Sequence, residues 1–489
     1  MTSSTEQRLL GSIPTRLLIN GAWQDSASGL KFAVDDPATG AELTTVADAS
    51  AVDARAAMDA AAGAQASWAA TAPRDRSDIL RRAFELVRAN ADDFALLITL
   101  EMGKTLAEAR AEVNYGAEFF RWFSEEAVRA EGRYTPAPDG NARLLVTKKP
   151  VGPCLLITPW NFPLAMATRK LAPAIAAGCT SIIKPAPLTP LTTLLLAEIM
   201  IEAGVPAGVV NVIPTSTAAT TVAPVIADPR LRKLSFTGST AVGQKLLAQA
   251  APTVLRTSME LGGNAPFLVF EDADLDSAIE GALAAKLRNI GQACTAANRF
   301  YVHEDIAESF VAKLAERFTA KRIGRGTGDG IEIGPLIDET SRSKVHGLVE
   351  EALRSGATAI AGGAPLPGPG WFYPPTVLTN VPVGARILNE EIFGPVAPIA
   401  TFRTEEQAIA LANATPYGLA AYAYTNDLSR MLRLTEQLET GMLGINAGVI
   451  SNPAAPFGGV KQSGLGREGG REGIEEYLET TYVGIANPR

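Results

Sequence analysis

Along the first 130 residues, apolar positions recur at helical spacing. The stretch RSDILRRAFELVRANADDFALLITLEMGK repeats them three and four apart and stops at Gly103. EARAEVNYGAEFFRWFSEEAVRA continues as another helix, and the alanine-rich run from Ala49 to Ala66 favours helix as well. Ahead of them, LLINGAWQDS reads as two strands about a turn at Asn20-Gly21. RYTPAPDGNARLLVTKKPVG has two extended runs around Pro-Asp-Gly, the pattern of a hairpin. From Pro150 short apolar runs alternate with amphipathic ones. CLLIT, TSIIK, VVNVI and LRKLSF predict strands, and the segments between them predict helices. Strands separated by helices at this spacing imply βαβ units and a parallel sheet. PFLVF, DADLDSAIEGALAAKL and RFYVH repeat the alternation after Glu260, which predicts a second α/β unit.

Composition narrows the classes. The chain has 489 residues, too many for one core, with 47% apolar and 20% charged residues. Its net charge of -8 and the lack of a basic cluster argue against a nucleic-acid partner. The first residues, MTSSTEQRLLGSIPTR, do not read as a secretory signal, and no apolar run approaches the roughly 18 residues that span a bilayer. Three cysteines, 154, 179 and 294, make no framework, so a reducing cytoplasm is expected. Only two histidines occur, His303 and His346, neither in a catalytic motif. No metal site is expected, and a histidine-dependent hydrolase is disfavoured.

Glycine motifs come next. SGLGREGG matches the G-x-G-x-x-G pattern at Gly464, Gly466 and Gly469, but too little chain follows for a βαβ unit. LSFTGSTAVGQ is the better phosphate site. A strand runs into Gly238-Ser239 and a helix opens there, offering free N–H groups and a positive dipole end. Cys294 in GQACTAANR sits among small and polar neighbours, an unusual setting for a packing cysteine. Cys154 and Cys179 flank apolar strands and are expected to pack.

Seven strings in this order carry a wider resemblance: TPWNFP, KPA, FTGST, ELGGNAP, GQACTAANR, EEIFGPV and PFGGVKQSGLGREGG. Over essentially the whole chain they resemble the aldehyde dehydrogenase superfamily, and GINAGVISNPAAPFGGVKQSGLGREGG resembles its succinate-semialdehyde branch. The resemblance implies an α/β fold with a Rossmann-like cofactor domain, an α/β catalytic domain and a small β arm for oligomerisation. The expected boundaries are 1–130 and 148–259 for the cofactor domain, 260–462 for the catalytic domain, and 131–147 with 463–489 for the arm. A homodimer or homotetramer is expected, because an isolated hairpin has too little core of its own.

The chemistry suits the residues. An aldehyde carbonyl takes a soft nucleophile, here the Cys294 thiolate, and the resulting alkoxide needs fixed donors. The resemblance gives that role to the Asn161 amide with the Cys294 N–H. Loss of hydride leaves a thioester, and Glu260 is the carboxylate for activating water. A CoA-acylating enzyme need not keep such a base. The resemblance further places Thr158, Trp160, Lys184, Gly238, Ser239, Gly243, Leu261, Glu391 and Phe393 on a nicotinamide cofactor. An acid three residues after the lysine, typical of NAD-specific members, is absent in Lys184-Pro185-Ala186-Pro187. NADP is therefore expected to be preferred and NAD usable. For the carboxylate of succinate semialdehyde, the resemblance supplies Arg169, Arg288 and Ser451. Arg169 follows Asn161 by eight residues, so two turns of one helix face are expected to join them. Glutarate semialdehyde, or a less specific aliphatic aldehyde, is the alternative substrate. Ala296 stands where some relatives carry a second cysteine, so no disulfide switch at Cys294 is expected.

Overall fold

The computed structural model describes residues 4–487. Residues 1–3 and 488–489, at the ends of the segments expected for the cofactor domain and the arm, lie outside the described residues. Two parallel sheets carry the fold. Strands Cys154–Ile157, Ser181–Lys184, Val210–Val212, Lys233–Thr237 and Arg256–Glu260 form the first, side by side in the order third, second, first, fourth, fifth. Helices Ala165–Ala177, Leu191–Glu202, Ala218–Ile226 and Thr240–Ala250 make the returns. The first four strands are buried along their whole length. That is why they read as apolar runs and not as alternating ones. The strand order reverses between Cys154–Ile157 and Lys233–Thr237. Beyond the carboxyl ends of these strands lie Thr158–Asn161 and Gly238–Ser239, the crevice where open α/β sheets bind ligands.

Both edges of this sheet are closed by antiparallel neighbours. Leu17–Ile19 pairs at one edge, and its turn to Ala22–Gln24 has Asn20 and Gly21 at φ +54° and +74°, as the Asn-Gly pair predicts. At the other edge, Gly464–Leu465 pairs with Met259–Glu260. A Cβ on Gly464 would lie 1.8 Å from the Met259 carbonyl oxygen. The G-x-G-x-x-G match is thus a backbone clasp on the strand that carries Glu260, and glycine permits the approach.

The second sheet has six parallel strands, Ala265–Val269, Ala297–His303, Thr376–Thr379, Val396–Phe402, Ala420–Tyr424 and Met442–Ile445. Thr358–Ala361 lies antiparallel at its edge. Phe267 packs against Phe300, Tyr422 and Tyr424 with ring centroids 5.1–5.9 Å apart, so aromatic area holds the centre of this core. The hairpin appears as Arg133–Pro136 with Ala142–Pro150, and Leu478–Ala486 zips along its longer strand from Pro150 to Ala142. Cys154 and Cys179 are fully buried, as packing residues.

One expectation changes and one element is added. The helix that carries Arg169 begins at Ala165, so Asn161 lies in the loop before it and the two do not share a helix face. A second hairpin, Lys31–Asp36 with Ala41–Ala47, occupies a segment whose weak alternation gave no strand signal.

Candidate active site

A cavity of about 250 Å³ opens at the carboxyl ends of the first sheet's strands. Cys294, Glu260 and Asn161 all line it, although 133 residues separate the first from the last in sequence. The cysteine loop owes its path to three successive left-handed residues, Asn289, Ile290 and Gly291, at φ +56°, +61° and +72°. Such a conformation is costly for a β-branched residue. The fully buried Ile290 side chain and the packing of Gly291 under the Gly394 carbonyl hold it.

The Cys294 N–H makes no hydrogen bond among the described residues. The Asn161 amide donates to the Gln292 carbonyl at 2.9 Å, which leaves its second N–H for the cavity. Both donors thus belong to residues that line the cavity. Burial pushes the Cys294 thiol up to about 12; Glu391 and Glu260 add to this, while Arg169 and Arg288 oppose it. Glu260 ends its strand buried, with no hydrogen-bond partner on either carboxylate oxygen among the described residues. Burial, and then the negative charge of Glu468, hold its carboxyl well above the usual range.

Trp160, Gly238, Ser239, Leu261, Glu391 and Phe393 line the same cavity. The Trp160 and Phe393 rings meet edge to face at 5.4 Å, and Phe393 has φ +58°. Glu391 accepts a hydrogen bond from the Gly263 N–H at 3.2 Å. Ser239 caps helix Thr240–Ala250. The remaining three residues stand behind the wall. Thr158 donates its N–H to the Lys184 carbonyl at 3.2 Å and ties two strand ends together. Burial pushes the Lys184 ammonium down to about 8, and no residue pairs with it among those described. Gly243 lies one turn into its helix, where a Cβ would meet Leu261 at 2.4 Å, so it lets helix and strand approach.

Arg169, Arg288 and Ser451 also line the cavity, but the two arginines differ. Arg169 is buried, with its guanidinium 2.5 Å from the Glu468 carboxylate and 4.0 Å above the Phe457 ring. Arg288 is half-buried over the Phe162 ring at 5.0 Å and makes no hydrogen bond or ion pair among the described residues. Among the described residues it is a cavity-lining cation left free for a ligand. The sequence reading missed Lys170 and Glu468, whose 2.6 Å ion pair completes the set around Glu260. Nothing in REGGREG marks Glu468 as buried, because its partners lie about 300 residues away.

Residues 23–483 match the aldehyde dehydrogenase family. The chain belongs to that family. It is 64% identical over 446 residues to a succinate-semialdehyde dehydrogenase of Paenarthrobacter nicotinovorans, covering 91% of this chain and 99% of that one. It is 50% identical to the succinate-semialdehyde dehydrogenase [NADP(+)] of Escherichia coli K12, over 96% of this chain and 97% of the relative. The crystal structure of succinate-semialdehyde dehydrogenase from Burkholderia pseudomallei superposes with a TM-score of 0.96 at 48% identity, covering all of both chains. The family accounts for the Rossmann-like sheet and the cysteine-bearing α/β unit.

Proposed function

We propose that the protein oxidises succinate semialdehyde to succinate, with NADP preferred and NAD accepted. The observation that carries the substrate is Arg288, a cation in the cavity that holds Cys294 and without an ionic partner among the described residues. A planar fork of donors is what a carboxylate a few carbons from the aldehyde requires. Ser451 adds a hydroxyl, and Arg169 adds positive charge from its place on Glu468. The relatives named above support the same substrate.

Cys294 attacks the carbonyl carbon once its proton has left, and Arg169 and Arg288 favour the thiolate. The new alkoxide receives the second Asn161 N–H and the Cys294 N–H. A bound nicotinamide would supply the hydride acceptor for this carbon, and loss of that hydride would leave a thioester on Cys294. As the carboxylate, Glu260 takes a proton from water; the oxygen of that water bonds to the thioester carbon, and the carbon–sulfur bond breaks to free the acid and return the Cys294 thiolate. Arg169 and Lys170 lower the cost of ionising Glu260.

The residues fit a dinucleotide. Lys184 is a buried cation without a partner among the described residues, the helix N-terminus at Ser239 faces the cavity, and Glu391 stands at its wall. Position 187 is proline, so no carboxylate repels a 2′-phosphate there. The arm sheet of Arg133–Pro136, Ala142–Pro150 and Leu478–Ala486 supports a homodimer or a dimer of dimers, with the domain boundaries given above. No helix among the described residues is long and apolar enough to cross a membrane, in keeping with a cytoplasmic place. The test is absorbance at 340 nm with succinate semialdehyde and NADP. Steady NADPH formation that vanishes in Cys294→Ala is expected. Absence of any signal, or activity surviving in Cys294→Ala, overturns the proposal.

A further inference from the structure

Helix Leu106–Glu126 touches no part of the cavity with its first turns, yet it holds two fixed carboxyl groups there. Glu108 and Glu112 are four residues apart and so share one helix face. Glu112 has no exposed side-chain surface. One of its oxygens accepts the N–H groups of Leu164 and Ala165 at 2.9 and 3.2 Å, where the helix bearing Arg169 begins. The other meets the Lys104 ammonium at 2.6 Å. Lys104 is equally enclosed, lies 4.0 Å over the Phe162 ring, and donates to the backbone carbonyl of Asn161 at 2.8 Å. The Asn289 side chain donates to that same carbonyl at 3.1 Å and to the Gln292 carbonyl at 2.9 Å. Glu108 accepts the Asn289 N–H at 2.6 Å.

This is a dear arrangement. A buried ion pair recovers its desolvation cost only with good geometry and further hydrogen bonds, and apolar residues of like size often do as well for stability. Here the extra bonds run to the two loops that carry the reaction, the Asn161 loop and the Cys294 loop. We propose that the Lys104–Glu112 pair, with Asn289, is a positioning device that fixes the Asn161 amide against the Cys294 loop. None of the three touches the reacting atoms. They act through the Asn161 carbonyl, which has both of its hydrogen bonds from this set. The proposal rests on the reading of Asn161 as an oxyanion donor.

A misplacement of about 1 Å at such a donor costs on the order of a hundredfold in rate. The double variant Lys104→Met, Glu112→Gln removes both charges at nearly constant volume, and the glutamine oxygen still accepts the Leu164 N–H. It is expected to melt within a few degrees of the parent. Its kcat should fall about ten- to a hundredfold, while KM for the aldehyde and for NADP moves less than about threefold. Parental kcat in a folded double variant, or a loss confined to KM, overturns the proposal. Asn289→Gly provides an independent arm, since glycine keeps the left-handed backbone and removes the second donor to Asn161. The same kcat-specific loss is expected, and full activity there counts against the device even if the double variant does not fold. Asn161→Ala separates the premises. If it keeps its activity, the oxyanion reading fails. If it loses activity while the double variant and Asn289→Gly do not, only the positioning proposal fails.

Discussion

Arg288→Ala is expected to remove recognition of the substrate's carboxylate and little else. The guanidinium has no hydrogen bond or ion pair to lose among the described residues; its contact is the Phe162 ring at 5.0 Å. Truncation therefore strands no buried partner, and the melting temperature should hardly move. The bound carboxylate, by contrast, loses a charged partner in an enclosed cavity. That loss is worth about 2–5 kcal/mol, or roughly 30-fold up to roughly 5,000-fold in kcat/KM for succinate semialdehyde. Butanal, which has no carboxylate, should change less than about threefold. Arg169→Ala should behave differently. It leaves the buried Glu468 with Lys170 as its remaining ion-pair partner, beside Glu260. Both substrates should then suffer, and stability with them. The assay is kcat/KM for the two aldehydes in parent, Arg288→Ala and Arg169→Ala, with melting curves for all three. Equal losses for both substrates in Arg288→Ala, or a parent that prefers butanal, would show that the free arginine does not read a carboxylate.

Glu260→Gln should still release about one NADPH per site in a burst and then stall, since the base is needed for the thioester; loss of the burst would place Glu260 at the first step instead. Iodoacetamide should alkylate Cys294 in the ligand-free protein faster as pH rises, still climbing at pH 10, because burial pushes the thiol up to about 12 and only the thiolate reacts. A plateau below pH 8 would contradict that. Pro187→Glu should lower the ratio of kcat/KM for NADP over NAD by more than about tenfold, and an unchanged ratio would remove the argument from position 187. Light scattering at micromolar concentration should give a dimer or tetramer, and deletion of residues 478–489 should abolish it; a parental monomer would rule out the arm's proposed role.

Much of the fold was legible because its strands are buried on both faces and so stand out as apolar runs between helical ones. CLLIT, TSIIK and LRKLSF all became strands of the first sheet. The Asn20-Gly21 and Pro-Asp-Gly turns carried their own backbone signal. What stayed hidden depends on contacts across long stretches of chain. The cavity residues could be named, but not the inequality of Arg169 and Arg288, which is set by Glu468. Glu108 and Glu112 look in sequence like ordinary helix-surface charges and Lys104 like a charge in the connection before them, because periodicity marks apolar faces and not buried ion pairs. The helix around Arg169 was right, but its start was placed too early. Asn161 belongs to a loop whose shape is imposed by Lys104 and Asn289.

The clasp of Gly464–Leu465 on Met259–Glu260 has a consequence for biosynthesis. Asn161, Glu260 and Cys294 all leave the ribosome well before Glu468 does. Until then Arg169 and Lys170 lack the carboxylate that neutralises them, and the strand carrying Glu260 has an open edge. Enclosing two cations without their counter-charge is costly. The surroundings of Glu260 thus stay unfinished until the last residues of the polypeptide arrive, and a chain that stops before Glu468 is expected to lack the set that supports thioester hydrolysis.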